Sequence, residues 1–490
     1  MLRVLTRRAV LTRSASRSFA TTTPSAHTPL SALSTTPEFF NSVREGTIPA
    51  FRLLGPDGLL TEEAAAREWV ERAKQVDGDK LKRMLEVMTM MPILDQILYS
   101  SQRQGRISFY MTAYGEEGTV VGSAAAWEND DEVFAQYREV GVLLWRGYPL
   151  SRVEVLSDLM AQVFSTKNDK ATKGKLHWPP SPENLSLKLN PLGLVSAGRQ
   201  MPVHYGSREH HFHTISSPLG TQLPQAAGAA YALKRTPGRE KSCVICYAGE
   251  GATSEGDFHA GLNMASVLGG PLVYVVRNNG FAISTPTSQQ YAGDGIAARG
   301  AGYGIETVRV DGNDPLAVYL ACKEARRKAV ETQKPVLVEA MTYRVGHHST
   351  SDDSSAYRSL SAVESVKKLD SPLHRLRKYV ESLDTSSGTG APLWTAEHDT
   401  KFKETSKRAI LKEFSKAEKD KKPKLEFMFG DVFAERPAHA DAEGNRSGLE
   451  RPQREQKEEL KRLIGKWGET AGWKKELEKF EGGRAAVDKW

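Results

Sequence analysis

Residues 242–285 read SCVICYAGEGATSEGDFHAGLNMASVLGGPLVYVVRNNGFAIST, and the architecture follows from them. Ser242 to Ala248 is short, apolar and rich in Val, Ile, Cys and Tyr, and it stops at Gly249, the pattern of a buried strand running into a glycine loop. A helix is expected next: Thr253 or Ser254 can cap it, Glu255 and Asp257 sit in its first turn, and Gly269-Gly270-Pro271 ends it. A second apolar run, Leu272 to Val276, delivers Arg277-Asn278-Asn279-Gly280 to the carboxyl end of a second strand, the edge where open α/β sheets bind ligands.

Gly249 and Gly251 let the backbone pass close to a phosphate, and the helix behind them offers free N–H groups at its amino end. Three phosphate motifs compete. A P-loop needs Gly-Lys-Ser or Gly-Lys-Thr at the end of the loop, and neither is present. A dinucleotide fingerprint needs G-x-G-x-x-G; here Gly256 comes too late, and the second strand ends in Arg-Asn-Asn instead of a ribose-binding acid. What remains is an acid, Glu250, in the glycine turn and an amide, Asn279, one strand later. Oxygen ligands from such a pair, completed by a diphosphate and water, suit magnesium, which prefers octahedral oxygen coordination and few protein ligands.

G-[DE]-G, then a helix and a strand, then N-N resembles the thiamine-diphosphate motif. GEGATSEGDFHAG, RNNGFAISTPTS and GDGIAARGAGYGI resemble the alpha subunits of the branched-chain 2-oxoacid dehydrogenase decarboxylating component, as do SQRQGRISFYMTAYGEEG, GRQMPVHYG and YRVGHHSTSDDSSAYRS. The similarity runs, with gaps, from about Ile48 to about Phe433. It implies oxidative decarboxylation of branched-chain 2-oxoacids such as 3-methyl-2-oxobutanoate and 4-methyl-2-oxopentanoate, with acyl transfer to lipoyl groups, in valine, leucine and isoleucine catabolism. The related pyruvate enzyme is one alternative, against which SEGDFHAG and HHSTSDD argue. A cofactor-binding regulatory subunit without turnover of its own is another.

The resemblance also implies roles for particular residues. Magnesium would be held by Glu250, Asn279 and the backbone carbonyl of Phe281, where the family usually has Tyr. The cofactor would be bound by Gln136, Tyr137, Arg138, Ser217, Leu219, Gly249, Glu250, Gly251, Ala252, Arg277, Asn279 and His348. Of these, His348 would reach both the diphosphate and the reacting region, and its ordinary pKa suits it to proton handling. A structural potassium would sit on Ser216, Pro218, Thr221 and Gln222, beside Gly220, which replaces the family's usual alanine. Ser349 matches a regulatory phosphoserine and Ser359 a second, less influential one, which implies a kinase and a phosphatase. The acid that activates the aminopyrimidine belongs to the family's beta subunit. An alpha2-beta2 heterotetramer serving a lipoyl-bearing acyltransferase core is therefore expected.

The rest of the 490-residue chain is read around this centre. Residues 1–37 carry Arg3, Arg7, Arg8, Arg13 and Arg17, many Ser and Thr, and no acid, the composition of a mitochondrial transit peptide bound for the matrix. An arm, residues 38–80, includes Arg52 to Gly58, read as a turn-rich segment between extended pieces. A thiamine-diphosphate-binding α/β domain follows over 81–370, a mostly parallel sheet flanked by helices with the cofactor at its carboxyl edge. Residues 371–435 form a helical C-terminal extension, and 436–490 a charged tail ending in a helix. Leu81 to Arg103 is read as a helix kinked at Pro92, its methionines serving core or subunit interface. Gly295 to Tyr303 is read as a glycine-rich loop, and Arg326-Arg327-Lys328 as a solvated helix face.

Within 167–198 the chain departs from the family with KLHWPPSPENLSLKLNPLGLVSA, an irregular insertion read either as a surface excursion or as a retained intron. Joining Gly174 to Arg199 restores KGRQMPVHYG. His204, His210, His211 and His213 lack zinc spacing and are read as a loop facing the substrate and a partner subunit. Cys243 and Cys246 form C-x-x-C, but an odd separation on a strand turns the thiols to opposite faces, which argues against redox chemistry or metal. The net charge of +7 is spread with acids interleaved, so no nucleic-acid patch is expected, and no apolar run reaches the length of a membrane span.

Overall fold

The computed structural model describes residues 47–147, 154–169, 198, 200–387, 392–425 and 450–489. The expected transit peptide and almost all of the atypical insertion lie outside them. The strands are Ala50–Phe51 (β1), Glu132–Phe134 (β2), Val244–Gly249 (β3), Leu272–Asn278 (β4), Phe281–Ala282 (β5), Thr285–Pro286 (β6), Glu306–Asp311 (β7) and Val336–Met341 (β8). Six of them form one sheet in the order β1-β7-β8-β4-β3-β2, with β5 and β6 a separate hairpin. Every pairing in the large sheet is parallel. All seven residues of β4 are buried, as a parallel strand covered on both faces requires.

Alternation along β3 builds two cores. Cys243, just ahead of the strand, Ile245 and Tyr247 pack on one side with helices Gly78–Arg103, Glu117–Ala124 and Pro315–Thr332. Val244, Cys246 and Ala248 pack on the other with helices Gln222–Leu233 and Gly256–Leu268. The two thiols of C-x-x-C therefore lie on opposite sides, and all three cysteines are free and buried.

Several sequence expectations change here. In helix Gly78–Arg103 Met84, Met88, Met90 and Met91 are fully buried within this chain, so that face is core and not an interface. The arm contains a helix, Arg67–Lys74, and its Leu53 and Leu54 N–H groups donate to Asp314 Oδ2 at 2.7 and 2.6 Å. Asp314 Oδ1 meanwhile caps helix Pro315–Thr332 at Leu316 and Ala317, so one carboxylate ties the arm to the domain. Residues 297–302 are a helix, not a loop. A Cβ on Gly300 would stand 2.4 Å from Thr307 Oγ1, so glycine there permits close packing against β7. Arg326 does not belong to a solvated face, since it is bound to the buried Asp131 at 2.7 Å.

Helix Ala396–Lys419 joins the main core through Ile410, Phe414 and Ala417. Among the described residues of the tail are helices Glu450–Trp467, Ala471–Leu477 and Gly483–Asp488, around Ile464, Leu477 and Val487. Among the described residues no helix is long and apolar enough to cross a membrane.

Candidate active site

Strand register sets the floor of the site. Gly249 pairs with Arg277, Arg277 with Ala340, and Asn278 with Met341, so β3, β4 and β8 end nearly level. Gln136, just past β2, reaches across to accept from the Gly249 N–H at 2.7 Å. The glycine turn continues as a 3-10 turn, Gly251–Ser254, in which the Thr253 hydroxyl donates to the Glu250 carbonyl at 2.6 Å. Glu255, not Thr253 or Ser254, occupies the N-cap position of helix Gly256–Leu268, and its side chain makes no capping bond. A Cβ on Gly251 would lie 2.8 Å from the Ala282 Cβ, so the backbone of the turn lies hard against the β5–β6 hairpin.

Glu250 is buried, and its Oε1 has no hydrogen-bond partner. Burial, and after it the nearby Glu116 charge, push its carboxyl above the usual range. A buried acceptor left unsatisfied costs about 1–3 kcal/mol, which a bound hard cation would reverse. The residues present therefore fit a magnesium ion, which Glu250 and Asn279 would help to hold.

Around Glu250 stands a network of buried charge. Glu116 and Glu139, both wholly inaccessible to solvent, grip Arg277: Nη1 donates to Glu116 Oε2 at 2.8 Å and Nε to Glu139 Oε1 at 2.6 Å. Nη2 of Arg277 lies 3.9 Å from where a Gly249 Cβ would stand, and so borders the glycine turn. Glu139 Oε2 also accepts from the Gln136 N–H at 2.7 Å, which locks the segment after β2 onto the end of β4. Glu116 Oε1 accepts from Asn279 Nδ2 at 2.7 Å. Burial alone would raise the Glu116 carboxyl; Arg277, Arg138 and the Asn279 amide outweigh it and hold the carboxyl below its usual range.

Arg138 donates to the carbonyl of Thr112 and, at 2.7 Å, to the carbonyl of His348. Burial, then Arg344 and Arg277, lower it to about 10, which leaves it charged at neutral pH. Arg138 thereby ties the carbonyl of Thr112 to the loop after β8. In that loop the His348 N–H donates to Asp352 Oδ2 at 2.8 Å, and the same oxygen accepts from the Tyr357 hydroxyl at 2.6 Å. Arg344 Nη2 donates to the Tyr357 hydroxyl and the Ile283 carbonyl, both at 3.2 Å. Burial first, then Arg138 and Arg344, push the His348 imidazole down to about 4, so without a neighbouring anion it is neutral.

Beyond this centre, Tyr137 donates through its hydroxyl to the Ser217 carbonyl. The Ser217 hydroxyl stands 2.8 Å from His204 Nε2, whose other ring nitrogen is 3.0 Å from the Pro202 carbonyl. Thr221 Oγ1 donates to the Pro218 carbonyl at 3.3 Å, and Gln222 Nε2 to the Tyr247 carbonyl at 3.0 Å. Ala252 is buried and Leu219 exposed. His211 and His213 do not face this edge as a pair: both sit on Glu132, at the amino end of β2.

The structure thus joins Gln136, Arg138, Gly249, Glu250, Arg277, Asn279 and His348 in one edge of hydrogen bonds and ion pairs. Sequence reading missed Glu116, Glu139 and Arg344. The signals were present: Glu116 lies in YGEEG, acids between small residues, and Glu139 is an acid directly before the buried run Val140 to Trp145.

Comparison with known proteins gives the same reading. The 2-oxoisovalerate dehydrogenase subunit alpha, mitochondrial, of Homo sapiens is 50% identical over 422 residues, 86% of this chain and 81% of its own length. The Bos taurus protein of that name is 49% identical over 86% of this chain and 79% of its own length. The Caenorhabditis elegans one is 45% identical over 82% of each. Residues 85–426 match the family model for the dehydrogenase E1 component, and the chain belongs to that family.

Proposed function

We propose that the chain is the alpha subunit of a mitochondrial 2-oxoisovalerate dehydrogenase, decarboxylating branched-chain 2-oxoacids and passing the acyl group to lipoyl groups. The observation that carries this is the buried Glu250 oxygen left without a partner, beside the Glu116–Arg277–Asn279 network, in a chain about half identical to proteins of that name. As a dehydrogenase E1 component the chain works with thiamine diphosphate, which when bound supplies the nucleophilic carbon and electron sink for decarboxylation. This chain's own residues bind and orient. Glu250, Asn279 and the Phe281 carbonyl hold magnesium; Arg277 and Arg138 offset the diphosphate charge; Gln136 and Glu139 fix the turn they act from. Ser216, Pro218, Thr221 and Gln222 take a potassium ion, for which the convergence of the Pro218 carbonyl and the Thr221 hydroxyl is the support.

A beta subunit completes the site, and the assembly is alpha2-beta2. On helix Gly256–Leu268, directly behind the cofactor turn, Met264, Val267 and Leu268 are exposed, Val267 at 75%, an apolar face that suits a partner subunit. The Arg-rich, acid-free leader, residues 1–37, supports import into the mitochondrial matrix. Assaying the chain with and without a beta partner on 3-methyl-2-oxobutanoate and pyruvate tests the reading. Turnover only of the assembly, and with preference for the branched substrate, is expected; preference for pyruvate would replace it with the pyruvate enzyme.

Regulation by a kinase and a phosphatase fits the loop after β8. Ser349 follows the His348 carbonyl that Arg138 holds, so a phosphate there, carrying about 1.5 to 2 negative charges, competes for Arg138. Against a bound diphosphate at about 6 Å and an effective dielectric of about 20, each pair of charges costs roughly 3 kcal/mol. Ser359 differs: its hydroxyl caps helix Leu360–Leu369, where added negative charge favours the helix, which explains a weaker effect. Stoichiometric phosphate on Ser349 is expected to stop lipoyl acylation; undiminished acylation by such enzyme overturns the switch.

A further inference from the structure

A side-chain amide has two ends of nearly equal size, and only one of them can ligate a hard cation. For Asn279 the choice is fixed from both sides. Its Nδ2 donates to Glu116 Oε1 at 2.7 Å, and its Oδ1 accepts from the Phe281 N–H at 3.2 Å. Turning the amide over would set its oxygen against a carboxylate oxygen and its NH2 against a backbone donor, in a place closed to water. Glu116 is itself immobile, because its second oxygen accepts from Arg277 at 2.8 Å and Arg138 Nε lies at 4.0 Å.

We propose that Glu116 is a positioning residue for the metal: it orients the Asn279 amide so that Oδ1, which keeps a lone pair beyond the Phe281 N–H, is presented to the cation. The inference rests on the magnesium reading of Glu250 and Asn279. It assigns Glu116 a task that its burial alone does not, and it links YGEEG to RNNG across 163 residues of chain. Partners that orient metal ligands in this way typically change metal affinity by about 10- to 100-fold when removed.

The test is calorimetric titration of Mg2+ into the chain assembled with its beta partner at saturating thiamine diphosphate. Asn279→Asp is the informative variant, since it leaves Glu116 in place and an isolated carboxylate is a stronger magnesium ligand than an amide. If Glu116 orients the side chain at position 279, the introduced carboxylate meets a like charge and Mg2+ binding weakens by about 10-fold or more. Adding Glu116→Gln then supplies a donor amide toward that carboxylate, and the double variant binds at least about 10-fold tighter than Asn279→Asp alone. Asn279→Asp binding Mg2+ as tightly as the unaltered protein, or a double variant no tighter than Asn279→Asp, overturns the proposal. Asn279→Ala separates the two layers. Weakened binding in Asn279→Ala beside undiminished binding in Asn279→Asp removes the orienting role alone, whereas undiminished binding in Asn279→Ala removes the metal site as well.

Discussion

Just before β2, Asp131 accepts from Arg326 Nε and Nη2 at 2.7 and 2.8 Å and from the N–H groups of Cys243 and Glu128 at 2.8 Å each, whereas just after β3 Glu250 keeps an oxygen with no partner at all. Both are buried acids at the ends of neighbouring parallel strands. Burying a carboxylate is costly unless its lone pairs are used, so a saturated acid belongs to the architecture. An unsaturated one in the same interior leaves a lone pair available to a ligand. The same contrast separates the histidines. His211 and His213 lean on Glu132 at the amino end, while His348 at the carboxyl end sits by Arg138 and Arg344 with its charge suppressed.

The sharpest test of the contrast is at the saturated end. Asp131→Ala strands the mostly buried guanidinium of Arg326 and the N–H groups of Cys243 and Glu128, and removing one member of a buried pair costs about 3–5 kcal/mol. Urea unfolding of the assembled protein reads it. A loss below about 1 kcal/mol would show that saturation does not mark architecture here. Cofactor affinity, measured on the folded fraction, is expected to stay as it was.

Next in size is Gly300→Ala. The added methyl carbon would meet Thr307 Oγ1 at 2.4 Å and Leu337 Cδ2 at 2.6 Å, and overpacking of that kind costs about 1–3 kcal/mol. A melting temperature unchanged by the substitution would restore the loop reading of residues 295–303. This stretch shows where sequence reasoning stops. GDGIAARGAGYGI signals a loop through its glycines, but whether a glycine serves a turn or a close approach depends on what lies opposite, here β7 and β8, which local pattern does not carry. The cofactor edge was legible for the opposite reason: Gly249-Glu250-Gly251 and Asn278-Asn279 are contiguous motifs at the ends of strongly apolar strands. Arg326 was misread because its partner, Asp131, is 195 residues away, and Glu116 escaped notice because its bonds are made only across the sheet. Sequence also left open whether the methionines of helix Gly78–Arg103 served core or interface, and burial in a single chain decides it.

A smaller effect is expected at the unsaturated end. Glu250→Gln removes a charge that burial disfavours, so the cofactor-free protein should gain stability at pH 7 while losing magnesium-dependent cofactor affinity. The sign follows from proton linkage. The folded carboxyl titrates above its ordinary value, so the folded state binds more protons, and the charge destabilises increasingly as pH rises from the ordinary carboxyl range through the raised one. The gain from Glu250→Gln should therefore vanish in acid. A loss of stability in the cofactor-free variant would mean that Glu250 is used by the architecture after all.

The smallest effect concerns His348 and separates the two ends by pH alone. Burial first, then Arg138 and Arg344, depress its imidazole from 6.5 to about 4, and Asp352 and Glu116 recover only part of that. A base whose folded value lies below its unfolded one is stabilising while neutral. Its contribution is complete above pH 6.5 and is lost as pH falls from there through about 4. Histidine-selective carbon NMR on labelled chain, with Glu132 replaced to identify His211 and His213 and His348→Gln to identify the third, gives the values one by one. In the cofactor-free protein His348 is expected to remain neutral at pH 6. A diphosphate held beside Arg138 would carry more negative charge than its magnesium ion cancels, which would relieve the repulsion and move the His348 value upward. Binding should then take up a fraction of a proton per site between pH 5 and 7, which calorimetry in buffers of different ionisation enthalpy measures. The histidines on Glu132 should not respond, because their carboxylate partner is already in place. A His348 that titrates near 6.5 without cofactor, or a response shared equally by His211 and His213, would erase the distinction between the two ends of the sheet.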